Sequence, residues 1–357
     1  MATAVEFHPL RVASIEPLTD EAVAVTFDVP PDLSETFRFL PGQHVTVKKD
    51  IDGVDVRRSY SICANANSGI LRVGIKQLEG GVFSTWATRR LRPGDLVEVT
   101  PPAGDFAVEP DPTATRHYAA IVAGSGITPV LSQVSTLLES EPRSRWTVIF
   151  GNRAARTIMF LDELEGLKDR HPSRLQIVHV LSREDPGIPM LAGRIDGRRL
   201  ETLFSTVVDA RSVDTWFLCG PHGLVTGARS VLEERGIPPE AIRDELFFAG
   251  PRIEGPPPPP EDEPGTVELT VTLEGRASRV RMRPESTVLD AAMRVRPELP
   301  YSCKGGMCAT CKARVLDGEV TMEKNYALVA ADLEGGYVLT CQSHPTGDRL
   351  TVDYDQR

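Results

Sequence analysis

Cys303-Lys304-Gly305-Gly306-Met307-Cys308-Ala309-Thr310-Cys311, with Cys341 thirty positions further on, decides how the rest of the chain is read. The pattern is C-x4-C-x2-C followed by a distant fourth cysteine, the ligand spacing of a [2Fe–2S] cluster. A short loop of this kind presents three thiolates to one cluster and turns its amides towards the sulfides. Gly305 and Gly306 are expected to supply the unusual dihedrals and close approach that such a loop needs. The fourth ligand arrives from a separate strand, so the cluster would also clip the fold together. A four-cysteine zinc site is the competing reading, but zinc sites more often use two C-x2-C pairs. Cys303, Cys308, Cys311 and Cys341 are therefore the expected metal ligands, and the upstream sequence is read as a means of putting electrons onto them.

The remaining cysteines, Cys63 and Cys219, do not make a disulfide scaffold in a chain of 357 residues. That length predicts two or three domains. No apolar run reaches eighteen residues, so no transmembrane helix is expected. The start, Met1-Ala-Thr-Ala-Val-Glu-Phe-His8, lacks a basic region followed by an apolar core, so no signal peptide is expected either. Together these features predict a cytoplasmic location. A net charge of −10 argues against a nucleic-acid partner. Residues 266–357 hold 12 basic and 13 acidic side chains, so no dominant acidic docking face is expected there.

Outward from the cysteines the chain divides by pattern. Residues 1–110 contain short β-branched runs, Val23–Val29, His44–Lys48, Ile70–Lys76 and Leu96–Thr100, broken by Pro41-Gly42, Asp52-Gly53 and Pro93-Gly94-Asp95. This spacing predicts an antiparallel barrel. In residues 111–253, apolar strands (His117–Ala123, Trp146–Phe150, Leu175–Leu181, Thr215–Cys219) alternate with helical patterns, which predicts a parallel α/β domain. Residues 254–265, with five consecutive prolines, read as a stiff polyproline II linker, a tether that would keep the following domain near its electron donor. Residues 266–357 open with a hairpin about Glu274-Gly275, then a helix capped at Ser286 or Thr287, then the cysteine loop.

Two stretches suggest cofactors. Arg58-Ser-Tyr60-Ser61 offers a cationic fork for a diphosphate, an aromatic plane and a hydroxyl at a spacing that suits a flavin. Gly80-Gly81-Val82-Phe-Ser84 precedes a helical segment, and glycines at a helix N-terminus favour an anion. The second stretch is Gly124-Ser-Gly126-Ile-Thr128-Pro129, between an apolar strand and a helix. Its glycines suit a diphosphate, but Pro129 replaces the third glycine of G-x-G-x-x-G, so spacing alone leaves dinucleotide binding open. Three strand ends, at Arg153, at Ser182-Arg183 and at Cys219-Gly220, are expected to converge on one cleft. Ser182 and Arg183 together suit a 2′-phosphate and so favour NADPH over NADH.

With these motifs in order, the chain resembles a ferredoxin–NADP⁺ reductase module fused to a plant-type ferredoxin. Residues 57–63, 80–84, 123–129, 150–153 and 219–221 carry the first part, and Cys303–Lys312, Glu319–Leu328, Gly336–Pro345 and Val352–Gln356 the second. The ferredoxin-domain wording is most similar to reductase components of phenylacetyl-CoA epoxidases; those of Rieske-type oxygenases such as 3-ketosteroid 9α-hydroxylases are the alternative. The resemblance implies an FAD barrel, an NADP-binding α/β domain and a C-terminal β-grasp ferredoxin domain. It implies Arg58 on the FAD diphosphate, Tyr60 on the ring, Ser61 facing N5, and Gly81, Val82 and Ser84 in support. Gly124, Gly126, Thr128, Arg153, Ser182, Arg183, Cys219 and Gly220 would hold NADPH, and Glu245-Leu-Phe247 would close the module. Tyr60, Ser61, Cys219 and Phe247 are the catalytic candidates. The implied path is NADPH to FAD to [2Fe–2S] to the oxygenase component of a multicomponent di-iron monooxygenase.

Overall fold

The computed structural model describes residues 6–247 and 265–356. The proline-rich stretch 254–264 lies outside the described residues. The described chain forms two compact units. One comprises Pro9–Val56 and residues 60–247; the other comprises residues 265–356 with residues 6–8 and Arg57–Ser59.

Apart from His8 and Arg57–Ser59, which count with the second unit, the first unit begins with the strands β1 (His8–Thr19), β2 (Ala22–Asp28), β3 (His44–Ile51), β4 (Val54–Ser61) and β5 (Leu71–Lys76), the helix α1 (Val82–Arg89) and the strand β6 (Leu96–Val99). They form one six-stranded sheet in the order β4-β3-β6-β1-β2-β5. Ile62, just past β4, bridges Val73 of β5, so the two edges meet and the sheet closes. Closure removes the exposed edges that an open sheet would carry. Leu10, Val25, Val45, Ile62, Val73 and Val99 point inwards and are fully buried. The Arg58–Ser61 stretch is the second half of β4. Helix α1 starts at Val82, three residues earlier than the sequence pattern suggests.

The same unit continues with β7 (His117–Ala123), α2 (Ile127–Ser140), β8 (Arg145–Asn152), α3 (Leu161–Arg170), β9 (Leu175–Leu181), α4 (Gly197–Thr206), β10 (Thr215–Gly220), α5 (His222–Glu234) and β11 (Ile242–Leu246). The five strands are parallel in the order β11-β10-β7-β8-β9. Tyr118–Val122 of β7 are buried on both faces, as a central parallel strand requires. The order reverses between β7 and β10, so the crevice at their carboxyl ends is the topological switch point.

Helix α2 joins the two sheets. Ser132 Oγ donates to Ala64 C=O at 2.7 Å, Gln133 Nε2 donates to Phe106 C=O at 2.7 Å, and Thr136 Oγ1 accepts from Ala66 N–H at 2.8 Å. All three side chains are fully buried. They satisfy loop backbone groups that would otherwise be stranded in the interior.

The second unit has β12 (Val267–Leu273), β13 (Arg276–Met282), α6 (Val288–Ala292), β14 (Lys312–Asp317), β15 (Val320–Met322), α7 (Ala330–Glu334), β16 (Tyr337–Leu339), β17 (Ser343–Pro345) and β18 (Arg349–Asp353). Its main sheet runs β13-β12-β18-β14-β16, with β12 and β18 parallel. Val267, Leu269, Val271 and Leu273 alternate inwards against α6. The helix cap is Thr287, whose hydroxyl accepts from Asp290 N–H. No helix among the described residues is long and apolar enough to cross a membrane.

Gly42 adopts φ +101°, and a Cβ there would lie 2.4 Å from Phe106 O and 2.7 Å from Gln133 Nε2. Gly53 has φ +83° with nothing nearby. Gly53→Ala should therefore cost about 1 kcal/mol of backbone strain, and Gly42→Ala roughly 2–4 kcal/mol because the α2 seam must also shift. Equal urea midpoints for the two variants would contradict this account of the seam.

Candidate functional site

In the second unit, the Cys303 and Cys308 thiols lie close together, as do those of Cys311 and Cys341. Cys311 also feels the charges of Cys303 and Cys308, so the four sulfurs form one group built from two pairs. The amides of Gly305 and Met307 donate to Cys303 Sγ at 3.3 and 3.5 Å. Hydrogen bonds from the Cys308 thiol and from these amides hold the Cys303 thiol below the usual range, while those of Cys308 and Cys311 are pushed up by pairing and burial. No three such side chains among the described residues converge on a point suited to a single ion. Two thiol pairs with inward amides fit a binuclear iron–sulfur cluster better than one zinc ion.

The loop departs from expectation in one respect. Its left-handed residues are Lys304 (φ +50°), Gly306 (φ +80°) and Ala309 (φ +51°), and Gly305 is not among them. Two non-glycine residues held in that region are strained and need support from around them. Lys304 Nζ pairs with Asp290 at 2.5 Å, and Gln342 Nε2 donates to Lys304 C=O at 3.0 Å. Gly306 has a steric reason to be glycine, since a Cβ would lie 2.9 Å from Lys324 O. Thr340 ties the fourth ligand to the loop by donating its hydroxyl to Cys311 C=O at 2.9 Å.

In the first unit, Tyr60 and Ser61 end β4. The Tyr60 ring lies 5.6 Å from that of Phe83, on the first turn of α1. Arg58 lies two positions before Tyr60 and donates to the Arg57 carbonyl. Ser84 Oγ accepts from Leu78 N–H at 3.1 Å and donates to Gly81 C=O at 3.3 Å, so this hydroxyl closes the glycine turn itself. Val82 is exposed beside it.

The switch-point crevice gathers the other candidates. Gly124, at φ +54°, begins the loop after β7. Gly126 packs on β10 so closely that a Cβ would sit 2.3 Å from Cys219 O. Thr128 is buried, donates to Ser125 C=O at 2.9 Å and faces Gly74 of β5. The Cys219 thiol is fully buried and pushed well above its usual range by burial, with Glu245 and Asp244 adding to the effect, so it is a neutral thiol. Phe247 packs against the same core, and its amide donates to Gly220 C=O. At the far end of the crevice, Arg183 N–H donates to Arg153 C=O at 2.7 Å, which brings these two strand ends together. Arg153 and Arg183 line a cleft of about 370 Å³; Ser182 does not line it.

Glu245, and two residues with little local signal, join these groups. Glu245 stands beside Cys219 in the β10–β11 register, and its Oε2 accepts from Ser61 Oγ at 3.0 Å. His44 Nδ1 lies 3.8 Å from Glu245 Oε1. Burial pushes the Glu245 carboxyl up to about 7, against the Ser61 hydrogen bond, and burial lowers His44, against the charge of Asp105. The Ser61–Glu245 contact spans 184 positions of sequence, and the turn signal at Pro41-Gly42 does not single out His44. Lys76, at the end of β5, is the third. Its Nζ lies 3.6 Å from where a Gly124 Cβ would be, and burial and Arg153 hold it below the usual lysine range.

Three family models match the chain in order: an oxidoreductase FAD-binding domain over residues 9–108, an oxidoreductase NAD-binding domain over 120–230 and a 2Fe-2S iron-sulfur cluster binding domain over 271–346. The chain is 41% identical to a subunit of the 1,2-phenylacetyl-CoA epoxidase of Escherichia coli (strain K12), across 98% of both chains. It belongs to the same family of flavin and iron–sulfur reductases. The family also holds the ferredoxin reductase component of 3-ketosteroid-9-alpha-monooxygenase from Rhodococcus rhodochrous, 28% identical over 97% of this chain and 96% of that one. Phthalate dioxygenase reductase shares the fold, with a TM-score of 0.64 at 21% identity, covering 97% of this chain and 98% of that structure. As a member of the family, the chain is an oxidoreductase with FAD, NAD(P) and [2Fe–2S] domains, and the ketosteroid and phthalate relatives are named as reductases of oxygenases.

Burial favours the protonated form of Glu245 in the folded chain. The carboxyl therefore supports folding fully below its unfolded range near 4.5, and that support is lost as pH rises through about 7. Glu245→Gln should raise the melting temperature of the first unit at pH 8, by on the order of 5 °C, and much less at pH 5. A gain of equal size at both pH values would rule out a buried, proton-holding Glu245.

Proposed function

We propose that this chain takes reducing equivalents from NADPH and delivers them singly to the oxygenase component of a multicomponent di-iron monooxygenase acting on phenylacetyl-CoA. One observation carries the reading: the likeness to the phenylacetyl-CoA epoxidase protein runs from end to end, so all three cofactor-binding domains are matched together and in order. When bound, NADPH supplies a hydride, FAD turns it into single electrons, and the [2Fe–2S] cluster holds them one at a time.

The chain's own residues have distinct tasks in this reading. Arg58 and the open first amides of α1, beyond Gly81 and with Val82 and Ser84 in that first turn, hold the FAD diphosphate. Tyr60 covers one face of the ring, its position set by Phe83. Ser61 presents its hydroxyl at the reactive edge. Its partner Glu245, with its carboxyl pushed up to about 7, would be able to hold a proton next to that hydroxyl. Gly124 and Gly126 let the nucleotide diphosphate approach the backbone, with Lys76 beside it. Thr128, Cys219, Gly220 and Phe247 shape the floor of the nicotinamide site. The buried, neutral Cys219 excludes water and places no charge beside the ring. Cys303, Cys308, Cys311 and Cys341 hold the cluster.

The preference for NADPH rests on Arg153 and Arg183, brought together at the mouth of one cleft, with Ser182 at the adjoining strand end. The domain limits 1–110, 111–253 and 266–357, with the linker between the last two, follow the change of pattern and the order of the family models. A reducing, cytoplasmic location suits six cysteines of which none is in a disulfide.

Cys308→Ser should lose at least 90% of cytochrome c reduction while NADPH still bleaches the flavin. Unchanged cytochrome c reduction in that variant would refute the electron path. For the partner, NADPH consumption and oxygenated product are compared with a phenylacetyl-CoA di-iron oxygenase and with a ketosteroid oxygenase. Tight coupling is expected with the first alone, and product only from the steroid system would reassign the partner.

A further inference from the structure

We propose that Asp20 and Glu21, on the turn between β1 and β2, are specificity-determining residues that occupy the arginines of the 2′-phosphate cleft and set how strongly the chain prefers NADPH over NADH. This rests on the NADPH reading above and deepens it. The cleft of about 370 Å³ is lined by Arg153, Arg156 and Arg183 together with Asp20, Glu21 and Glu184. Two of the three guanidinium groups are already engaged. Glu21 pairs with Arg153, and Asp20 pairs with Arg156 at 3.3 Å. Arg183 makes no ion pair with a described residue. Glu184 accepts from Ala155 N–H at 2.8 Å, so its carboxylate is directed at the backbone rather than at an arginine.

The turn is held so that these carboxylates stay in place. Glu21 N–H donates to Thr19 Oγ1 at 3.2 Å, and Glu21 C=O accepts from Gln77 N–H at 2.7 Å. Gln77 follows Lys76, whose charge faces the glycine loop at the other end of the same crevice. Lys76 and Arg153 feel each other's charge, and Glu21 of the barrel turn offsets both.

A phosphate monoester bears more than one negative charge near neutral pH and offers three acceptor oxygens. It is a stronger partner for an arginine fork than one carboxylate. All four side chains of the two ion pairs are well exposed, at 41–86% of their free surface, and such pairs are weak and readily exchanged. A nucleotide with a 2′-phosphate must displace them to reach both arginines. A nucleotide without one leaves them in place. Asp20 and Glu21 thus subtract from the affinity for NADPH and leave that for NADH untouched, so the chain discriminates less than its arginines alone would.

The test is steady-state reduction by the full-length protein, loaded with FAD and cluster, with NADPH and with NADH, and inhibition by 2′,5′-ADP and by 5′-ADP. In Asp20→Asn/Glu21→Gln the KM for NADPH and the inhibition constant for 2′,5′-ADP should fall about threefold to tenfold, while values for NADH and 5′-ADP move less than twofold. Arg183→Ala in the parent chain separates the two layers of the argument. It should lower the NADPH-to-NADH ratio of kcat/KM at least tenfold. If it does and the acidic double variant leaves the ratio unchanged, the role of Asp20 and Glu21 is overturned and the NADPH reading stands. If Arg183→Ala leaves the ratio unchanged, the NADPH reading itself is overturned, and this proposal with it.

Discussion

The first unit depends on the buried hydrogen bonds that helix α2 makes on its polar side. A helix that packs against a parallel sheet ordinarily turns its polar residues to water. Here Ser132, Gln133 and Thr136 face loops of the closed β-sheet and are fully buried, each bonded to a backbone group of that sheet. Left unsatisfied, each would cost about 1–3 kcal/mol, so the arrangement is held to one geometry. The close approach that these bonds require explains why Gly42 must be glycine. It also puts Gly74 of the barrel against Thr128, in the first turn of α2. The structural seam and the wall of the nucleotide crevice are therefore one feature.

The same crevice brings together groups whose charges are tuned by burial. Glu245 and Cys219 are neighbours across a parallel register; burial raises the cost of ionising both, and Glu245 adds to it for Cys219. A neutral thiol beside a carboxyl that titrates near 7 suits a place where a proton must be held while electrons leave. At the outer end the environment is reversed. Arginines and carboxylates there are exposed and screened, and they act by geometry and exchange rather than by shifted titration. An apolar inner end and a charged, solvated outer end are what the proposed placing of a dinucleotide would require.

In the second unit, loop strain and thiol chemistry are linked. Lys304 and Ala309 sit in the left-handed region although neither is glycine. Those dihedrals turn the Gly305 and Met307 amides towards Cys303. Asp290 of α6, and Thr340 and Gln342 of the turn between β16 and β17, hold the loop, so the strain is supported by tertiary contacts rather than by the loop's own sequence.

The sequence by itself determined the C-x4-C-x2-C spacing of a [2Fe–2S] domain, the three-part order of patterns and the strand-end motifs, because each is read from short stretches of the chain. Short-range spacing is enough for C-x4-C-x2-C, for the alternation of β12 and for glycines before a helix. Tertiary structure decided what distant segments contribute. Ser61 and Glu245, 184 positions apart, form a pair only because β4 and β11 are carried to the same crevice. His44, Lys76 and the Asp20-Glu21 turn look like ordinary barrel residues until the α/β sheet is placed beside them. Gly305, expected to supply the loop's unusual dihedral, yields that part to Lys304, since the contacts around the loop outweigh glycine's local freedom. A side chain's charge state and partner depend on burial and on what lies across a seam, and neither is a property of local sequence.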